Sequence, residues 1–110
     1  MKAKEKRVHF EHFSIAGFTY YDGALVFDRI RVGTDLELVP EPENAYDRYA
    51  VALYLEGSKL GFVPRGCNRE MSKILNAGHS IFRAVVQRVD PTKTPEDQVG
   101  VIVFLKSKEE

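Results

Sequence analysis

The chain has 110 residues, 44% of them hydrophobic, enough for one core and too few for two, since a domain typically holds about 100–150 residues. Sixteen basic and sixteen acidic residues give zero net charge, which argues against a protein that coats duplex DNA non-specifically but leaves room for a local basic groove. The single cysteine, Cys67, cannot form an internal disulfide, and no apolar run approaches the ~20 residues that span a bilayer, so no membrane partner is expected and a cytoplasmic location is.

Residues 1–6 read as a flexible basic N-terminus, 7–106 as the domain and 107–110 as a charged tail. The basic start is followed by charged and aromatic residues, not by the apolar stretch of a signal peptide. From Arg7 to Tyr21 aromatic and β-branched residues predict a strand. Its alternation changes phase between Phe10 and Phe13, which predicts a bulge or bend near Glu11-His12, and Gly17 permits a sharp turn. Asp22-Gly23 signals a turn, and Ala24–Ile30 reads as a short helical turn with Leu25, Val26 and Ile30 facing inward.

Gly33 opens an alternating strand, Thr34–Val39, with Leu36 and Leu38 on one face and acids on the other. The following segment, Pro40 to Tyr49, holds two prolines that cannot donate to a sheet ladder, and Asn and Asp that favour side-chain-to-backbone turns. It is a loop. Ala50–Leu55 and Lys59–Val63 flank Glu56-Gly57-Ser58 at the spacing of a β-hairpin. Asn68 reads as the N-cap of a helix to Asn76, with Cys67, Met71, Ile74 and Leu75 on one face and Gly78 as its stop. Strands Ile81–Val89 and Val99–Leu105 follow, separated by a polar loop. The sum is a mainly β chain with one or two short helices, a small antiparallel barrel of the OB-like or SH3-like kind that offers a surface groove.

Catalytic signals are weak. No serine sits in a strained Gly-x-Ser-x-Gly elbow, no Gly-rich loop could cradle a phosphate, and Cys67 on an apolar face reads as core. His79, just past the helix stop, reads as structural. The acids Asp35, Glu37, Glu41, Glu43 and Asp47 lack the spacing of a calcium loop, so no metal site is expected. Tyr20, Tyr21, Tyr46 and Tyr49 stand at strand ends or in loops, where exposed rings could stack on bases or cover the end of the barrel.

The run Leu38-Val39-Pro40-Glu41-Pro42-Glu43-Asn44-Ala45-Tyr46-Asp47-Arg48-Tyr49-Ala50-Val51-Ala52-Leu53, followed by Gly61-Phe62-Val63-Pro64-Arg65, resembles the signature of the HIRAN domain. In that family Asn, Pro, Tyr, Asp and then Ala-Val or Ala-Ile precede a hairpin that ends in Gly, an aromatic or His, Val or Leu, and Pro. Ala16-Gly17-Phe18-Thr19-Tyr20-Tyr21 also resembles the family's first strand. The chain differs where Ala45 replaces the usual Pro, Tyr49 a common Asn and Thr19 a basic residue.

The resemblance implies an OB-like barrel, without cofactor or catalytic activity, that captures the 3′-hydroxyl end of single-stranded DNA and serves a helicase or nuclease in DNA repair. Tyr46 and Asp47 would form the end-binding corner, with Asn44 shaping the loop. Tyr20 and Tyr21 would supply a stacking wall, Phe62 would lie beneath the hairpin end, and Phe104 would stack on a terminal base. Lys59, Arg65, Arg69 and Lys73 are the nearby cations available to phosphates. Two rival readings are a protein-interaction module presenting the Pro40–Tyr49 loop and a metal-dependent hydrolase built on the acids.

Overall fold

The computed structural model describes residues 7–107. The expected N-terminal extension, residues 1–6, and residues 108–110 of the expected tail lie outside them. Six strands are present, β1 (Val8–Ser14), β2 (Asp35–Pro40), β3 (Val51–Leu55), β4 (Ser58–Phe62), β5 (Phe82–Val89) and β6 (Val99–Leu105), with one α-helix, α1 (Arg69–Asn76), between β4 and β5. The strands form one antiparallel sheet in the order β1-β6-β5-β2-β3-β4.

Strand β2 makes the corner. Asp35 and Leu36 pair with Val85 and Ala84 of β5, whereas Glu37 to Pro40 pair with Tyr54 to Val51 of β3. Its alternation sets Leu36 in the core and leaves Asp35 and Glu37 in solvent, where Asp35 pairs with Arg83 at 2.9 Å. The sheet so folded wraps a core that includes Ile15, Leu53, Leu60, Met71 and Val101. It is not closed. Beyond the ladders, its two edges meet at the bridge Ala16↔Phe62, whose N–H···O bonds measure 2.8 and 2.9 Å.

The first strand differs from expectation in length. A register shift between His9 and Glu11 accounts for the phase change near Phe10, but the strand stops at Ser14. Gly17 then adopts a left-handed conformation (φ 72°) that turns the chain, and residues up to Tyr21 form a 3-10 turn at Phe18–Tyr20 in place of extended strand. Two more 3-10 turns follow, Asp22–Ala24 and Phe27–Arg29. They bury Val26 and Ile30 as expected, but Leu25 points to solvent because tight turns of three residues per revolution do not follow α-helical spacing.

The β3–β4 hairpin turns through Glu56 (φ 49°) and Gly57 (φ 89°), the positive pair that matches the twist of a two-residue hairpin. Helix α1 lays Met71, Ile74 and Leu75 on the core and ends in a Schellman motif, with the Gly78 N–H on Leu75 O at 3.0 Å and the His79 N–H on Ile74 O at 3.2 Å. At the other end the expected cap is absent. Asn68 has helical dihedrals and makes no capping bond, because its side chain is engaged elsewhere. Cys67 sits in a 3-10 turn before the helix, Arg65–Cys67, and packs against the core from there. Burial first, then the Glu11 carboxylate, pushes its thiol pKa up. None of the described helices is long and apolar enough to cross a membrane.

Candidate functional site

A groove of about 250 Å³ opens at the place where the two edges of the sheet meet. One wall is the turn after β1, with Ala16, Gly17, Tyr20 and Tyr21. The other is the β2–β3 loop, with Asn44, Tyr46, Asp47 and Ala50. Phe62, Val63 and Arg65 from the end of β4 lie between them. Both walls are stitched to that one segment: Phe62 exchanges two backbone bonds with Ala16, and the Val63 N–H bonds to Val51 O at 2.9 Å.

The loop wall is built by its own polar side chains. Asn44 Oδ1 accepts the N–H groups of Tyr46 at 2.8 Å and Asp47 at 3.1 Å, a turn that short side-chain carbonyls favour. Asn44 Nδ2 donates to Glu41 Oε1 at 2.9 Å, and Glu41 Oε2 takes the Lys59 ammonium at 2.9 Å. Burial works to raise the Glu41 pKa, but the Lys59 and Asn44 hydrogen bonds outweigh it and hold the carboxyl below its ordinary value. Two N–H···O bonds, from Glu41 to Ala50 O and from Ala50 to Asp47 O, close the loop at its base. A loop that contains Ala45 is therefore ordered by Asn44 and Glu41.

Asp47 is gripped from three sides. Its Oδ1 accepts the Tyr49 N–H at 2.9 Å, its Oδ2 accepts the Asn68 amide at 2.9 Å, and the Arg65 guanidinium stands 3.7 Å away. Burial pushes this carboxyl up, yet the Tyr49 N–H, the Asn68 amide and the Arg65 charge together hold it below the ordinary aspartate value. At neutral pH it is an acceptor-only carboxylate. Each oxygen accepts one hydrogen bond and so keeps further accepting capacity, and the side chain, 18% exposed, lines the groove. Arg65 also donates to Tyr46 O at 3.0 Å, which fixes the loop tip against the end of β4.

The aromatic lining divides into fixed and free rings. Tyr21 meets Phe62 edge to face with centroids 5.6 Å apart, and the Lys59 ammonium lies over both rings at 5.0 and 4.5 Å. Tyr20 and Tyr46 are 83% and 86% exposed, which leaves their faces open.

The structure thus brings together Tyr20, Tyr21, Asn44, Tyr46, Asp47, Phe62 and Arg65. Lys59 stands behind Tyr21 and Phe62, with its charge already engaged by Glu41. Phe104 is not brought there: it lies on β6 between His9 and Arg83, beneath the Arg7 guanidinium at 5.0 Å, because its register places it toward the opposite end of β1 from the turn that forms the groove. The sequence pointed to other roles for Asn68, a helix cap, and Glu41, one of a set of acids; the contacts that reveal their part in the site, Asn68 to Asp47 and Glu41 to Lys59, span 21 and 18 positions. Among the described residues no group of three or more His, Cys, Asp or Glu could hold a metal ion.

The model of the HIRAN domain matches residues 10–108. The chain belongs to the HIRAN family. No curated protein matches it. Among solved structures it is similar to a protein from Lactobacillus plantarum, with a TM-score of 0.77 at 22% identity, over 91% of this chain and 95% of that one. It is also similar to the HIRAN domain of human HLTF, with a TM-score of 0.67 at 17% identity, over 94% and 82% of the two chains. The six-stranded sheet is thus the HIRAN architecture, and the loop with Asn44, Tyr46 and Asp47 is the segment of this HIRAN domain that meets the end of β4.

Proposed function

We propose that this HIRAN domain is a DNA-binding module whose groove takes the 3′-hydroxyl end of a single strand. The observation that carries the reading is the placement of an ionised, hydrogen-bonded Asp47 in the same groove as the open faces of Tyr20 and Tyr46. Base faces stack on tyrosines irrespective of sequence, for about 1–3 kcal/mol per base. A carboxylate that can only accept binds a terminal hydroxyl, which donates. It opposes a terminal phosphate by like charge, worth about 4 kcal/mol at 4 Å for an effective dielectric near 20. Arg65 offsets part of that repulsion, but it is exposed and already donates to the Tyr46 carbonyl.

Binding rather than catalysis suits the site, because Asp47 is held by backbone and amide donors and, among the described residues, no serine, cysteine, histidine or second carboxylate lines the groove to activate its tyrosines. A helicase or nuclease working at such ends would be the natural partner. The test is fluorescence anisotropy with oligonucleotides that end in a 3′-hydroxyl or a 3′-phosphate, on the wild type and on Asp47→Ala. The wild type should prefer the hydroxyl end, and the variant should lose the preference. Equal binding of both ends by the wild type overturns end capture, and absence of binding to any single strand overturns the DNA reading.

A further inference from the structure

Behind Asp47, outside the groove, four side chains form a second feature. Arg48 Nη2 donates to the Tyr49 hydroxyl at 3.1 Å, and the guanidinium groups of Arg48 and Arg69 lie 5.1 and 5.2 Å from the centre of the Tyr49 ring. Lys73 follows Arg69 by one helical turn on the same face of α1 and is exposed, as are Arg48 and Arg69. Among the described residues none of these three cations has a carboxylate within ion-pair distance, whereas Arg29, Lys59, Arg65 and Arg83 each have one. The cations act together on the phenol and lower its pKa, the Arg48 hydrogen bond first, then the charges of Arg48, Arg69 and Lys73.

Two guanidinium groups on one ring, with an exposed ammonium one helical turn from the second, concentrate positive charge on a chain of zero net charge. They are also tied to the groove by direct bonds. The Tyr49 N–H holds Asp47 Oδ1, and Asn68, the residue before Arg69, holds Asp47 Oδ2. The carboxylate therefore links the groove that it lines to a cluster of cations outside the groove. A guanidinium held over an aromatic ring is pre-organised, and the donors that it does not spend on neighbours remain available to phosphodiester oxygens.

We propose that Arg48, Tyr49, Arg69 and Lys73 form a second contact surface that grips backbone phosphates of the DNA beyond the end held in the groove. The surface sets the affinity for longer DNA, and the groove sets the preference for the end. This rests on the DNA-end reading above.

The experiment compares wild type, Arg69→Gln/Lys73→Gln and Arg48→Gln by anisotropy, on oligonucleotides of about 4 and about 12 nucleotides that end in a 3′-hydroxyl or a 3′-phosphate, within the span of site sizes seen for one OB-type fold. A single-strand contact contributes a slope of about 0.7 in log affinity against log salt, so each lost contact should weaken binding about fivefold at 0.1 M salt relative to 1 M. Both variants are expected to bind the long strand more weakly with a shallower salt slope, while the short strand and its end preference stay at the wild-type level. Wild-type affinity and slope on the long strand overturn the proposal and leave the groove reading standing. Equal loss on both lengths also overturns it, because the variants would then act on the groove. Binding of neither length by the wild type overturns both readings.

Discussion

Asn68 donates its side-chain amide to Asp47 Oδ2 at 2.9 Å, although the two residues lie 21 positions apart and the Asn68 side chain is buried. This bond ties the groove carboxylate to the start of α1, so the orientation of Asp47 depends on the helix as much as on its own loop. Replacing Asn68 by Ala removes a donor to a charged acceptor and leaves Asp47 Oδ2 short of a partner, at a cost of about 1–3 kcal/mol. Urea unfolding should show that loss, and the variant should discriminate less between 3′-hydroxyl and 3′-phosphate ends than the wild type does.

Acid should weaken the fold through the same carboxylates. Asp47 and Glu41 both titrate below their ordinary values in the folded chain, so the unfolded chain binds more protons in the acidic range. Their contribution is fully present above the unfolded carboxyl pKa of about 4 and is lost as the pH falls through the lower folded values. A series of urea midpoints from about pH 6 down to about pH 2 should fall through this window, and Asp47→Asn combined with Glu41→Gln should flatten the profile.

Tyr46 is 86% exposed and its ring supports no described neighbour, so Tyr46→Ala should leave the melting temperature near that of the wild type. Its effect belongs to binding. Loss of one stacked base at about 1–3 kcal/mol corresponds to a roughly five- to 150-fold weaker Kd for single-stranded DNA. Unchanged affinity would remove Tyr46 from the stacking surface.

Gly61 marks where the edges of the sheet approach too closely for a side chain. Its φ is 147°, and a Cβ there would overlap the Ala16 carbonyl oxygen and come within 2.6 Å of Ile15 Cγ2. Gly61→Ala should therefore cost about 3 kcal/mol or more through strain and overpacking. Because it pushes Ala16 from Phe62, the variant should also show weakened amide protection at both residues by hydrogen exchange before the core opens.

Much of this architecture was written in short-range pattern. The alternation of Leu36 with acids, the turn at Glu56-Gly57, the stop at Gly78 and the prolines of the β2–β3 loop each depend on neighbours within a few residues, where backbone propensity and periodicity act directly. The turn at Asn44 was legible for the same reason, because Asn44 shapes it through bonds to residues two and three positions on, whereas the roles expected of Tyr46 and Asp47 came from the resemblance to the HIRAN signature. Three-dimensional packing decided the rest. The chain leaves β1 at Ser14 so that Ala16 can bridge Phe62, Phe104 goes to the far side by its register, and Asn68 forgoes its helix cap for Asp47. Local signals cannot rank such choices, since an Asn before a helix can satisfy either partner equally well in the sequence. The partner is selected only when the fold sets the groove carboxylate within hydrogen-bonding reach and leaves both groups short of water.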